Sequence, residues 1–312
     1  MVIGRPVQLR HKQCQRPFDY KKRYEHLQVP LKAGGSASVS VTKYRATFMG
    51  SGDMAVNTTA VNAFDGKFHD FAKKGFPSDI TLQVDTGQGL RAITDDEAKR
   101  LYTPDYRNAL RALKTVYQGK GSPELCQIVL QLADHWKLAT GSNEAALRKY
   151  AGDSLGLDCN GFTGNFIWHV TDQRDWTDHG LDATEGPNSK IHLYQGGNLP
   201  VSSWDDVTSG PYLFLRSNEN GAILDGTGDD IGHITITEPQ KIRAQNGQNP
   251  RAVYVVESSA SMGGLNESWY SLDSTSKKAK DVFFLRREAI PLKQKHDLLF
   301  FKIFQLHGSP QK

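Results

Sequence analysis

Hydrophobic spacing along the chain changes character twice. Over residues 27–94, apolar and polar positions alternate in short runs, most clearly at 38–42 and 80–84, with Gly, Ser and Asp at their borders. A period of two between turn residues predicts strands. From Asp95 the period lengthens. Leu110, Leu113, Val116 and Tyr117 fall on one helical face over 105–117. Ser122 followed by Pro123 then opens a second helix, with a capping side chain and a residue suited to the first turn. Its stripe runs Leu125, Ile128, Val129, Leu132 and Trp136, with Gly141 as the stop. A short helix over 142–150 and another after Cys159 complete the helical part. Beyond a loop-rich stretch at 171–211 the period returns to two, in 212–216, 233–238, 252–258, 282–286 and 298–305.

Helices followed by a run of strands predict an α+β fold rather than alternating α/β units. The expected organisation is helices packed on an antiparallel sheet over 111–312. A β-rich region over 1–110 precedes it and suits a targeting or loading module. At 312 residues, with 38% hydrophobic and 23% charged positions, the chain can bury a sizeable core. Its net charge of +4 is concentrated at one end, where residues 1–30 hold seven Lys/Arg against Asp19 and Glu25. Such an arm suits phosphates or an acidic polymer, or is a solvated terminus. The aromatics beside it (Phe18, Tyr20, Tyr24) are too few for a stacking platform, so nucleic acid is not expected.

Three cysteines, Cys14, Cys126 and Cys159, are an odd number without close spacing, which fits neither a disulfide framework nor a zinc site. No HExxH or CxxC pair occurs, and Gly50-Ser-Gly52 and Gly226-Thr-Gly228 lack the Lys-Ser/Thr of a phosphate loop. No cofactor or metal is expected. The first residues lack the apolar run of a signal peptide, and no stretch approaches the roughly 18 apolar residues of a membrane span. Synthesis in the cytoplasm without membrane insertion is the expectation, and work elsewhere would need a dedicated export route.

The candidate chemistry centres on 156–170. Gly156-Leu-Asp-Cys-Asn-Gly reads as a turn with Asp158 as helix cap, and Phe162, Phe166, Ile167 and Val170 then recur at helical spacing. Cys159 thus falls in a first turn, where the helix dipole favours thiolate. A buried cysteine that only packs is the plain alternative. Gly161 and Gly164 are poor helix formers, understandable where substrate or backbone comes close. His233, after a Gly-rich bend and at the start of an apolar strand, suits a general base; a structural histidine is the alternative. Asp229 and Asp230 beside it lack calcium-loop spacing. Glu257 ends the apolar run 253–256, where a carboxylate needs a partner or water, and the second ring nitrogen of His233 would serve.

Asp158-Cys159-Asn160-Gly161-Phe162, followed by Gly232-His233-Ile234 and then Glu257, resembles the NlpC-type and CHAP-type branches of the papain-like cysteine hydrolases. The resemblance covers roughly residues 145–305, with Asn160 where Ser is usual, and the stretch from His233 to Glu257 is longer than usual. It implies a papain-like fold and a Cys159–His233–Glu257 triad. The backbone N–H of Cys159 and Asn160 would be oxyanion donors, and Tyr150, in a faint echo of a Tyr-x-x-Gly-Gly run, a further helper. It also implies cleavage of an amide bond in peptidoglycan peptides, by an endopeptidase or amidase. With no signal peptide, the implied settings are a phage lysis protein or a toxin exported by a specialised secretion apparatus such as type VI, with an immunity protein as partner. A protease or deamidase acting on a protein, an acyltransferase of the same fold, and a non-catalytic binding protein are the competing readings.

Overall fold

The computed structural model describes residues 16–46, 49, 51–74, 80–85, 89–94, 97, 113–171, 198–207, 210–224, 232–243, 252–275, 278–290 and 296–306. The first part of the chain forms α1 (Pro17–Glu25), a hairpin of β1 (Leu27–Pro30) and β2 (Ser36–Val39), α2 (Thr58–Lys74), and a second hairpin of β3 (Gln83–Asp85) and β4 (Leu90–Ala92). Residues 113–117 are helical, followed by α3 (Pro123–His135), α4 (Glu144–Ser154) and α5 (Cys159–Thr171). The expected helix at 105–117 lies outside the described residues up to 112.

Two features depart from the β-rich expectation for 27–94. Helix α2 occupies 17 of those residues. Asn62, Asp65 and Gly66 are weak helix formers, but Phe64 and Phe68, four apart, pack on Tyr117 and Trp136 and supply the burial that propensity lacks. In addition, side chains from 20–84 and 113–170 share one continuous core, so the boundary expected at 110 falls inside a packed unit.

Helix α3 explains the joining. It was expected as an amphipathic helix, yet residues 123–134 are all buried. Ser122 caps it, accepting the Leu125 N–H. Its polar side chains face the N-terminal elements: Gln127 bonds the Asp85 N–H and Gln28 C=O, and Gln131 the N–H and C=O of Gln83. These amides replace the neighbouring strand that the hairpin backbones would otherwise need. The basic residues of α1 are ion-paired. Arg16 pairs with Glu238, Lys21 with Glu25 and Glu267, and Arg23 with Glu124. From Arg16 onward the expected basic arm is a docked helix; residues 1–15, Cys14 among them, lie outside the described residues.

The second half is the strand-rich part. After β5 (Leu199–Pro200) come β6 (Tyr212–Arg216), β7 (Ile234–Arg243), β8 (Ala252–Ser259), β9 (Gly264–Thr275), β10 (Phe283–Ile290) and β11 (His296–Gln305). All pairings are antiparallel. The order β6-β7-β8-β9-β10-β11 closes, because β11 pairs with β10 through its first half and with β6 through its second. The expected sheet is therefore a six-stranded barrel without free edges between those strands. Strand β9 had no counterpart in the expected list; Asn266, Glu267, Ser268 and Ser271 interrupt its apolar alternation.

Alternation divides the barrel residues. Phe214, Val253, Val255, Tyr270, Phe283, Leu285, Phe301 and Ile303 fill the interior with Trp204. Leu213, Leu215, Ile234, Ile236, Tyr254 and Val256 face outward into the helical core, where α5 lies on β7 and β8.

The start of α5 is gripped by backbone. Leu157 N–H donates to Lys43 C=O, Tyr44 N–H to Gly263 C=O, Leu265 N–H to Thr42 C=O, and Asp158 N–H to Gly119 C=O. Glycines permit this crowding. A Cβ on Gly161 would stand 1.9 Å from the carbonyl oxygen of Gly119, and one on Gly264 1.9 Å from that of Thr42. Helix propensity alone favours Ala over Gly by about 1 kcal/mol, but backbone overlap costs about 1–3 kcal/mol or more. Gly161→Ala is therefore expected to lower stability in urea denaturation; an unchanged or raised midpoint would remove the close approach from the account.

Candidate active site

Cys159 is the first residue of α5, and the cap before it is made by Asp158, whose Oδ1 accepts the Gly161 N–H at 2.6 Å. The other oxygen, Oδ2, lies 2.5 Å from Lys120 Nζ. Burial pushes the Asp158 carboxyl up, against Lys120 and the N–H groups of Gly161 and Asn160, and the net shift is upward. Only 5% of Cys159 is exposed. Cys126, the other described cysteine, is wholly buried within α3, and burial pushes its thiol up.

His233 stands immediately before β7, fixed by its carbonyl, which accepts the Arg216 N–H. Its Nε2 lies 2.6 Å from Glu257 Oε2, and the ring also interacts with the Cys159 side chain. Burial alone would lower the imidazole pKa. Hydrogen bonds to Cys159 and Glu257 and the charge of Glu257 outweigh it and raise the value to about 9.

Glu257 follows Val253 and Val255 in alternation and points into the barrel, with no exposed surface. Four groups meet it there. His233 and Tyr270 approach Oε2, the tyrosine at 3.1 Å; Ser268 donates to Oε1 at 2.6 Å; and the Arg287 guanidinium is 3.5 Å away. Burial alone would raise this carboxyl, but His233, Arg287 and Ser268 hold it down at about 2. Arg287 is anchored in turn by Ser259 and Ser261.

Of the three residues expected to act together, His233 and Glu257 are hydrogen-bonded, and Cys159 starts the helix that lies on β7 and β8. The two expected helpers differ. Asn160 is buried beside Cys159, and its Oδ1 has no hydrogen-bond partner among the described residues. Tyr150 bonds Tyr117 through its hydroxyl at 2.7 Å, and burial pushes it up to about 12 against that bond. The tyrosine that feels the charge of Cys159 and Asp158 is Tyr44, buried and raised chiefly by desolvation. It comes from the segment 42–46 stitched against the cysteine loop. No sequence spacing links Tyr44 to Cys159; the only local signal was an aromatic just after an alternating run. Asp229, Asp230 and the stretch after Arg243 lie outside the described residues. Among the described residues, no His/Cys/Asp/Glu group is arranged to hold a metal ion.

The chain matches no family model, no curated protein and no solved structure. What the site can do is therefore read from its geometry: a thiol at a helix N-terminus, an imidazole that interacts with it, and a buried carboxylate 2.6 Å behind the ring.

The pair His233–Glu257 links stability to pH. His233 is raised above 6.5, so its contribution is complete below about 6.5 and lost as pH rises through about 9. Glu257 is depressed below 4.5, so its contribution is complete above about 4.5 and lost as pH falls through about 2. Native protein is expected to lose stability between pH 6.5 and 9 in urea titrations. Glu257→Gln should be less stable throughout and flatter across that window. Equal slopes for the two proteins would show that the pair does not control the titration.

Proposed function

We propose that the chain is a papain-like cysteine hydrolase that cleaves amide bonds, with peptidoglycan peptides as its substrates. The observation that carries this reading is the buried His233–Glu257 pair, 2.6 Å apart, whose imidazole interacts with Cys159 at the start of α5. Proton transfer from Sγ to Nδ1 gives a thiolate–imidazolium pair, and the thiolate attacks the scissile carbonyl carbon. As the C–N bond breaks, the imidazolium returns its proton to the leaving amine. A water deprotonated by His233 then cleaves the thioester and restores the thiol. Glu257 holds the ring in the tautomer that presents Nδ1 to the thiol and stabilises the imidazolium.

The backbone N–H of Cys159, which starts α5, supports a site for the developing oxyanion, with the Asn160 amide and Tyr44 phenol beside it. The peptidoglycan assignment rests on the resemblance of the Asp158–Phe162 and Gly232–Ile236 motifs. Export by a specialised secretion apparatus and an immunity partner belong to the same proposal.

Purified protein incubated with sacculi is expected to release new muropeptides detectable by mass spectrometry. Cys159→Ala and His233→Ala should release none above background, and Glu257→Gln should lose roughly tenfold or more in rate, consistent with acid–base catalysis contributing about 10²–10⁴. Products carrying a transferred acyl group would redirect the reading to an acyltransferase. No products from native protein, or equal products from Cys159→Ala, would refute it.

A further inference from the structure

The cap of α5 poses an electrostatic problem. Asn or Ser caps a helix as well as Asp does and carries no charge. An aspartate next to Cys159 places a full negative charge where a thiolate must form, against the helix dipole's roughly half positive charge. Asp158 has little water to screen it, with about 6% of its side chain exposed.

We infer that Lys120 is a positioning residue of the active site: by neutralising the Asp158 cap, it allows Cys159 to ionise beside an acidic residue. The two oxygens of Asp158 divide the work, Oδ1 taking the Gly161 N–H and Oδ2 the Lys120 ammonium at 2.5 Å. Lys120 is held in register with the helix. Its carbonyl accepts the Asn165 amide at 2.9 Å, the Gly119 carbonyl accepts the Asp158 N–H at 3.0 Å, and the Gly161 backbone lies against both. Among the described residues, the charged or titratable groups around the thiol are Asp158, Lys120, Tyr44 and His233, with Glu257 behind the imidazole. Lys120 is the cation that meets the Asp158 carboxylate, beside the backbone N–H of Gly161. The inference rests on the proposal that Cys159 acts as a thiolate.

The test is the pH dependence of iodoacetamide alkylation, followed by mass spectrometry on the Cys159 peptide so that the other cysteines do not contribute. Lys120→Met is expected to move the acid limb of the rate profile up by about one pH unit, a roughly tenfold loss of rate on that limb. Lys120→Arg should restore it. Asp158→Asn, which keeps the cap, should move the limb down. In an Asp158→Asn background, Lys120→Met should shift the limb less than it does in native protein. Lys120→Met matching native protein, or shifting the limb equally in both backgrounds, would overturn the inference. If Lys120→Met does not fold by circular dichroism, Lys120→Gln takes its place: the same upward shift, restored by Lys120→Arg, supports the role, and no shift overturns it. Native Cys159 titrating like a free thiol would sink the catalytic reading itself. An activated native thiol without coupling to Lys120 would sink only this inference.

Discussion

Glu257 carries its charge inside a closed barrel, where an ion stripped of water costs several kcal/mol unless partners replace the solvent. Those partners come from separate places: His233 before β7, Ser268 and Tyr270 on β9, and Arg287 on β10. Each reaches the carboxylate because strand alternation turns it inward at the right register. A slip of one residue in β9 would turn Ser268 and Tyr270 to the other face and leave Glu257 short of donors. The barrel register and the buried carboxylate are thus tied together, and the same carboxylate meets His233 at 2.6 Å. On the outer surface of the same strands, Ile234, Ile236, Tyr254 and Val256 form the seat for α5, which carries the thiol.

The helix start is held from the other side by the N-terminal part of the chain. Residues 42–46 run between the cysteine loop and the turn from β8 to β9, joined to both by backbone hydrogen bonds. Ser258 adds a further tie from β8 to the Leu157 carbonyl. Rings of Tyr20 and Tyr24 from α1 pack on Phe162, and Tyr20 also on Phe166. A region that reads in sequence as a separable module therefore forms part of the bed of α5 and brings Tyr44 to it.

What was legible in the sequence was local. Asp158 as cap, Cys159 at the helix start, the strand that follows His233 and the strand that carries Glu257 follow from spacing within a few residues. Helix α2 was not legible, because its stability comes from Phe64 and Phe68 meeting Tyr117 and Trp136 across the fold. Strand β9 was hidden because Ser268, which sequence periodicity counts as solvent-facing, is buried on Glu257. Tyr44, Lys120 and Arg287 were missed for a related reason: their roles depend on partners far along the chain, and a single sequence does not record who meets whom. Tyr150 stands where the resemblance implies a Tyr-x-x-Gly-Gly run, whereas the structure gives its hydroxyl to Tyr117.

The proposed hydrolase requires that His233, paired with Glu257, take the proton of Cys159 before the thiol attacks. Thiolate absorbance in the far ultraviolet measures this directly. The account predicts one thiolate at neutral pH in native protein, absent from Cys159→Ala and from His233→Ala. A native protein whose Cys159 thiolate appears only near the ordinary thiol pKa of about 8.5 would contradict it.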